Sequence, residues 1–292
     1  MYKTTMKERI IVTLTTWSQR IANIPTVLDT IYRQTLPPNL VVLNLAYDET
    51  VPSRVQDYID RHGIEVNRVA DTKVFKKLIP TLRKYPDACV ISIDDDWLYP
   101  EGMIADFMTV HRAFPDFPIS GNREVIAGMQ CHCGCASLTK ASYFGNYLDQ
   151  IDSDLISNCP SDDFVYSYLC TLAGHPYIRT ESYYFTNMKP YCADEGYSNN
   201  SGRDIIEKTH EYMRNRFGVV GHIFKLYKIE SPHTDLIEDI FKQSIKYFTI
   251  AKECETEQRI YSTYSFRLGQ AIVRRLRWLK SLAPNKQELN LP

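Results

Sequence analysis

The chain has 292 residues, which is enough for one large α/β domain or for a domain with a C-terminal extension. Its formal net charge of −1 at pH 7 argues against a general nucleic-acid binder, which would carry a strongly basic face. Eight cysteines in so long a chain, after a polar and charged start without a secretory signal, do not indicate a disulfide framework. No apolar run approaches the length of a membrane span. We therefore expect a cytoplasmic protein with reduced thiols.

The first hundred residues alternate short apolar runs with segments whose apolar residues recur at helical spacing. The runs predict strands at residues 10–15, 40–45, 64–69 and 89–93. The intervening segments predict three helices, the first opened by Pro25 and the second stopped by Gly63. A third helix is expected over 78–84. This β-α-β-α-β-α-β order is typical of a parallel sheet that is covered by helices on both faces.

Three consecutive aspartates, Asp94, Asp95 and Asp96, directly follow the fourth predicted strand. They lie at the carboxyl end of a central strand, where open α/β sheets bind their ligands. Adjacent carboxylates repel one another unless a cation neutralises them, and oxygen ligands suit Mg²⁺ or Mn²⁺. The alternative is a solvated acidic turn that caps a helix beginning near Pro100 and continuing to Phe114.

After Pro118 the pattern indicates shorter strands and loops as far as Tyr191, with helices expected again at 204–217 and 235–253. Within this part, Asp162 and Asp163 precede an apolar helix predicted over 164–172, where they are candidates for function or for capping the helix. Cys131, His132, Cys133 and Cys135 do not favour a zinc site. Their spacing is not C-x₂-C, and no second ligand pair stands at finger distance.

The segment 265–282 predicts a basic amphipathic helix that contains Trp278. Two interpretations stand side by side. The helix attaches the protein peripherally to an anionic membrane surface, on the inner membrane face, or its aliphatic side docks on the preceding domain.

Four segments share features with one enzyme family. They are IIVTLTTWSQRI at 10–21, KKLIPTLRKYPDACVISIDDDWLYP at 76–100, SDDF at 161–164 and YSFRLGQAIVRRLRWLK at 264–280. Together they resemble the family 2-type glycosyltransferases with a GT-A fold, of the kind found in bacterial surface-polysaccharide clusters. The chain departs from the family's glycine-rich acceptor segment, since residues 131–135 keep only Gly134.

The resemblance implies an α/β fold with a GT-A-type, Rossmann-like mixed sheet and helices on both faces. It implies a catalytic domain over 1–225 and a helical C-terminal extension over 226–292. The implied activity is that of a hexosyltransferase dependent on Mn²⁺ or Mg²⁺. Such an enzyme moves a sugar from a nucleoside-diphosphate-sugar donor, with a UDP-sugar favoured, to a saccharide or lipid-linked acceptor with inversion.

Roles for individual residues also come from the resemblance. The donor would be bound by Thr13, Thr15, Trp17, Arg20, Lys76, Lys77, Asp94 and Asp95, and the metal by Asp96 and Asp94. Of the two lysines only one is expected to be functional, as a compact positive charge for the diphosphate. Asp163 is the expected general base, with Asp162 beside it. His210, His222 and His233 are candidates for a third metal ligand.

Other classes fit the chain less well. A nucleotidyltransferase uses a related sheet and an acidic metal site, but no glycine-rich loop follows the first strand. A phosphatase with an aspartate nucleophile would carry its D-x-D after the first strand and not after the fourth. A non-catalytic sugar-binding or assembly module remains the alternative outside enzymes.

Overall fold

The computed structural model describes residues 8–121, 125–126, 129–130, 132, 135–179, 188–191 and 203–218. Apart from Val125–Ile126, these residues belong to one compact unit. The predicted helices at 235–253 and 265–282 and the whole extension over 226–292 lie outside the described residues, so they stay predictions, as does the predicted domain boundary. Among the described helices, none is long and apolar enough to cross a membrane.

The described strands are β1 (Ile10–Thr15), β2 (Leu40–Ala46), β3 (Glu65–Val69), β4 (Cys89–Ile93), β5 (Trp97–Leu98), β6 (Ile119–Ser120), β7 (Val125–Ile126), β8 (Met129–Gln130), β9 (Ala136–Thr139), β10 (Ile178–Arg179) and β11 (Lys189–Pro190). The α-helices are α1 (Ile24–Tyr32), α2 (Ser53–His62), α3 (Ile79–Lys84), α4 (Met103–Ala113), α5 (Ser153–Asn158), α6 (Asp162–Ala173) and α7 (Arg203–Phe217). Segments of 3-10 helix cover Ile21–Asn23, Lys73–Lys77 and Ala141–Gln150.

Seven of these strands form one mixed sheet in the order β10-β6-β9-β4-β1-β2-β3. β9 runs antiparallel to its neighbours β4 and β6, whereas the other neighbouring pairs are parallel. The predicted α/β class with a mixed sheet is therefore confirmed, and the first four predicted strands coincide with β1 to β4. The helix stop at Gly63 is also confirmed, since this residue ends α2 with φ +61° and ψ +37°. Glycine reaches that left-handed conformation without steric cost.

The predicted start of a helix at Pro100 is wrong. The chain first forms β5, which pairs antiparallel with β11, and α4 begins only at Met103. A backbone bond from the N–H of Tyr191 to the carbonyl of Asp96 (2.7 Å) extends this pairing. The aspartates therefore occupy a turn between two strands and do not cap a helix. The turn is not fully solvated either, because Asp95 is only 3% exposed.

The two faces of the sheet have opposite chemistry. Alternate residues of β1, β2 and β4 pack with α1, α2 and α4 in an apolar core that includes Val12, Leu14, Leu43, Ile91, Leu28 and Phe107. The other face carries a polar row across six strands, made of Asn67, Asn44, Thr13, Ser92, Ser137 and Ser120, which are register partners or near neighbours in adjacent strands. The segment Lys73–Lys77 and α3 cover part of this row. Helices thus lie on both faces, as predicted.

Hydrogen bonds from the polar row hold the segment Lys73–Lys77 in place. Thr13 Oγ1 donates to the carbonyl of Lys77 (2.8 Å) and contacts Thr81 Oγ1 (2.7 Å). Asn44 Nδ2 donates to Thr13 Oγ1 (2.9 Å) and to Thr81 Oγ1 (3.0 Å), and Asn44 Oδ1 accepts from Asn67 Nδ2 (2.9 Å). Every one of these buried polar groups is satisfied by another, so the row tolerates burial. Its effect is to fix the backbone from which the Lys77 side chain extends.

We expect Asn44→Ala to lower the free energy of unfolding by about 2–4 kcal/mol, because it removes several bonds at once and leaves buried partners unsatisfied. Urea denaturation followed by far-UV circular dichroism measures the loss. Asn158→Ala, on the exposed side of α5, is the control and should change stability by no more than about 0.5 kcal/mol. Equal losses in the two variants would contradict the role of the polar row.

Candidate active site

Lys77 joins the two acidic segments that the sequence singles out. Its Nζ lies 3.0 Å from Asp94 Oδ1, after β4, and 3.5 Å from Asp162 Oδ2, in the first turn of α6. Lys77 is only 5% exposed. Burial by itself lowers the pKa of this ammonium, but the attraction of Asp162 and Asp94 outweighs burial and holds the pKa well above its usual value. Lys77 is therefore a buried positive charge between two carboxylates.

Arg20 forms ion pairs with the other two aspartates of the triplet. Its Nη2 lies 3.1 Å from Asp95 Oδ1, and its Nη1 lies 2.5 Å from Asp96 Oδ2. Thr16 Oγ1 donates a further hydrogen bond to Asp95 Oδ2 (2.6 Å). Arg20 is placed by a tight turn in which its own backbone N–H donates to the carbonyl of Trp17 (2.8 Å). The loop after β1 and the loop after β4 therefore meet at the carboxyl end of the sheet.

Tyr99 shapes the turn that carries the aspartates. Its hydroxyl accepts from the backbone N–H of Asp94 (2.9 Å) and lies within hydrogen-bond distance of the carbonyls of Asp94 (3.0 Å) and Cys135 (2.8 Å). Because β9 begins beside Cys135, this single hydroxyl ties the turn to the antiparallel strand next to β4.

The carboxyl groups of the site are in an unfavourable environment for negative charge. Burial raises the pKa of Asp95 to about 6, although Arg20 and Thr16 oppose the rise. Burial also raises the pKa of Asp162 to about 6, opposed by Lys77, and burial with the neighbouring Asp94 raises the pKa of Asp96. The chemical cause is the same in each case, since desolvation disfavours the charged form.

The donor set fits a divalent cation. Five aspartates face two basic side chains, Arg20 and Lys77, so the site keeps an excess of negative charge. In the described part of the chain, Asp96 Oδ1 is buried without a hydrogen-bond partner, which leaves it available as a ligand atom. Mg²⁺ and Mn²⁺ need few protein carboxylates when substrate phosphates and waters complete the shell.

A third protein ligand does not join the triplet among the described residues. There, the group of three side chains whose ligand atoms all lie within 4.8 Å of one another is Glu8, Cys89 and His111, at the start of β4 and not at its carboxyl end. The ring of His210 packs edge-on against Phe164 with centroids 5.6 Å apart. His222 and His233 lie outside the described residues, as do Cys131 and Cys133, so the third ligand stays a prediction.

A histidine that sequence reasoning did not select lies at the centre of the site. His132 Nδ1 is 2.9 Å from Asp163 Oδ1, and His132 Nε2 is 3.0 Å from Ser92 Oγ, on β4. Its ring is fully buried, and burial, aided by the charge of Lys77, lowers the pKa of His132 to about 3. The imidazole is therefore neutral at physiological pH. In the sequence, His132 lies between two cysteines, which raises the question of metal binding, and no sequence pattern links it to Asp163.

The remaining predicted donor residues have different surroundings. Thr13 is fully buried in the polar row, and Thr15 Oγ1 donates to the carbonyl of Asn44 (2.8 Å). Lys76 pairs with Asp71 and so does not reach the aspartates, whereas Lys77 does. Trp17, beside Arg20, is 40% exposed. Of the eight predicted donor residues, the structure gathers Arg20, Lys77, Asp94 and Asp95 around one another, and their contact with a donor stays a prediction.

Comparison with known proteins gives structural similarity without sequence similarity. No family model and no curated protein matches the chain. The mannosyltransferase PcManGT from Pyrobaculum calidifontis, solved with GDP-Man and Mn²⁺, is similar at 15% identity and a TM-score of 0.47 over 87% of this chain and 88% of that chain. S. aureus TarS 1–349 with UDP is similar at 10% identity and a TM-score of 0.47 over 87% and 75%. A cytidylyltransferase from Leptospira borgpetersenii is similar at 12% identity and a TM-score of 0.43 over 61% and 77%.

We expect Lys77→Met to lower the free energy of unfolding by about 3–5 kcal/mol, because it leaves the buried carboxylate of Asp162 and the partly exposed carboxylate of Asp94 without their cation. Chemical denaturation at pH 7 measures the loss. Lys84→Met is the control, since Lys84 is half-exposed and its pair with Glu65 contributes no more than about 1 kcal/mol.

The loss in Lys77→Met should be partly recovered when Asp162→Asn is added, because one of the two stranded charges is then gone. A Lys77→Met protein as stable as Lys84→Met would show that the buried ion pairs do not hold the site together.

Proposed function

We propose that this protein is a metal-dependent glycosyltransferase that moves a sugar from a nucleoside-diphosphate sugar, with a UDP-sugar favoured, to a saccharide or lipid-linked acceptor. One observation carries the proposal. The acidic triplet after β4 and the acidic pair at the start of α6 are far apart in the sequence, yet Lys77 bridges Asp94 and Asp162. A metal-dependent glycosyl transfer with inversion uses a metal-binding group and a separate base on the acceptor side, and this juxtaposition offers carboxylates for both roles.

Asp96 and Asp94 are the residues that would hold the divalent cation. Asp96 Oδ1, which is buried and has no hydrogen-bond partner among the described residues, and the excess of negative charge support this assignment. When bound, such a cation offsets the charge that develops on the leaving nucleoside diphosphate. Arg20 and Lys77 offset part of the negative charge on either side of the triplet, and a bound divalent cation would supply the further positive charge that an anionic donor needs.

The surroundings of the acidic pair favour Asp163 as the base over Asp162. Asp162 is 6% exposed and its carboxylate faces Lys77. The side chain of Asp163 is 37% exposed and is held by a neutral imidazole. A general base must reach the hydroxyl group whose proton it removes, which a buried and ion-paired carboxylate cannot do. With Asp163 as an acceptor base, we propose transfer with inversion.

The proposal is tested with the purified full chain, Mn²⁺ and a panel of nucleotide sugars. A glycosyltransferase should bind at least one donor only with metal and hydrolyse it slowly to the nucleoside diphosphate. A nucleotidyltransferase would instead release pyrophosphate from a nucleoside triphosphate. A sugar-binding module would bind its ligand and release neither product, so product analysis separates the three classes.

Asp96→Ala should abolish the Mn²⁺-dependent binding of a nucleoside diphosphate while the fold persists, because it removes the proposed ligand oxygens at the end of a strand. Isothermal titration calorimetry with and without Mn²⁺ measures the effect. Asp87→Ala, an exposed aspartate before β4, is the control and should bind like the wild type. Unchanged metal-dependent affinity in Asp96→Ala would overturn the metal assignment.

Asp163→Asn keeps the shape of the side chain but cannot take up the proton of the acceptor. We expect near-wild-type donor affinity and a transfer rate that is lower by about 10²–10⁴. Steady-state kinetics with saturating donor measure the rate. Full activity in Asp163→Asn would remove this residue from the reaction. Asp162→Asn should act mainly through lost stability, since its carboxylate pairs with Lys77.

A further inference from the structure

We propose that His132 is the positioning residue for Asp163, and that Ser92 selects the tautomer of His132 in which this is achieved. The inference rests on the proposed function, because it assigns Asp163 the role of base. It adds a residue from β4 and a residue from the loop before β9 to the machinery of the site.

The hydrogen-bond chain has one consistent arrangement of protons. A carboxylate only accepts hydrogen bonds, so Nδ1 of the neutral ring must carry the proton and donate it to Asp163 Oδ1 (2.9 Å). Nε2 is then an acceptor, and Ser92 Oγ must donate to it (3.0 Å). Ser92 Oγ also lies 3.4 Å from the carbonyl oxygen of Ser137, but this acceptor is farther away than His132 Nε2. The proton of Ser92 therefore goes to the imidazole.

The backbone of His132 is fixed to the same helix that carries Asp163. Its N–H donates to Ser167 Oγ (2.6 Å), and Ser167 Oγ donates to the carbonyl of Asp163 (2.6 Å). His132 thus contacts α6 at two points, through the ring at Asp163 and through the main chain at Ser167, one turn further along the helix. A shift of Asp163 relative to the ring would break one of these bonds.

Aromatic and charged groups close the remaining sides of the ring. Tyr166 and Tyr177 stand edge-on to it, with ring centroids 5.2 Å and 5.4 Å away. The charged groups that act on it are Lys77, Asp94 and Asp162, and Asp163 itself is bonded to Nδ1. The imidazole is consequently held in one orientation and presents one donor to one oxygen of Asp163.

Ser92, His132 and Asp163 are hydrogen-bonded in the same order as the serine, histidine and aspartate of a hydrolytic triad, but these three residues cannot act as such a triad. Ser92 and His132 are both fully buried, whereas a nucleophile must reach its substrate. Of these three residues, only Asp163 has a side chain that reaches solvent. The chemistry accessible to a substrate is that of the oriented carboxylate, which is the reverse of the hydrolytic arrangement.

Two amide substitutions separate the two ring nitrogens. Asn at position 132 places its amide near the former Nδ1 and can still donate to Asp163, whereas Gln places its amide near the former Nε2. We expect H132Q to lower kcat by about 10- to 100-fold with the donor KM unchanged, because a hydrogen bond to a charged group is lost. H132N should lose no more than about threefold.

The same two variants in an Asp163→Asn background make the test specific. If His132 acts through Asp163, the difference between H132Q and H132N should disappear there, because residues that act as a unit are not additive. Melting temperatures of all variants show whether a loss of rate follows a loss of folding. Equal kcat values for H132Q and H132N in the wild-type background, with equal melting temperatures, would overturn the positioning role.

A readout that needs no activity separates this inference from the proposed function. Nitrogen-15 NMR of the full chain should show His132 neutral with Nδ1 protonated, and its Nδ1–H resonance should shift in Asp163→Ala. A protein without transfer activity but with this spectrum would overturn the proposed function and leave the contact to Asp163 established. Protonation at Nε2 instead would overturn the positioning role whatever the activity.

Discussion

The buried ammonium of Lys77 is the interaction on which the rest of the site depends. A desolvated charge is costly unless its partners compensate it, and here the two partners come from different parts of the chain, Asp94 after β4 and Asp162 at the start of α6. The lysine thereby forces the end of a central strand and the first turn of a later helix to stay adjacent. The backbone from which this side chain extends is held by the polar row of the sheet. Thr13 and Asn44 are needed to fix the backbone carbonyl of Lys77, and a purely aliphatic face would leave that group without a partner.

Adjacent residues of the same type contact different partners in this protein, because the helices that carry them point their side chains in different directions. Lys76 and Lys77 belong to a 3-10 segment with three residues per turn, so their side chains leave the axis about 120° apart. One reaches Asp71 and the other reaches Asp94. Asp162 and Asp163 are separated in the same way by the first turn of α6. The two lysines are therefore not equivalent, and neither are the two aspartates, although each pair is identical in composition.

Hydrophobic periodicity was sufficient to predict β1 to β4 and their helices, because each is a local pattern of apolar residues. It failed for β5, whose pairing with β11 joins residues some ninety positions apart and leaves no local signal. The sequence alone identifies the triplet Asp94–Asp96 as a candidate site, because three adjacent carboxylates repel one another unless a cation neutralises them. The sequence does not identify Ser92 and His132 as site residues. Their contacts with each other and with Asp163 exist only in the folded protein, and neither residue type marks them in the sequence. For the same reason, the sequence does not choose between Lys76 and Lys77.

The site separates its carboxylates by environment. Asp95 and Asp162 are buried against cations, and desolvation raises the pKa of each to about 6. Asp163 reaches solvent and is bonded to a neutral imidazole instead of a cation. Groups of one chemical type can take different roles when their surroundings differ in this way. A cation on the acceptor side would hold the carboxylate in its ionised form but would weaken it as a base. A neutral donor orients the carboxylate and perturbs its basicity less, so burial of His132 in an uncharged state fits the role of base that we propose for Asp163.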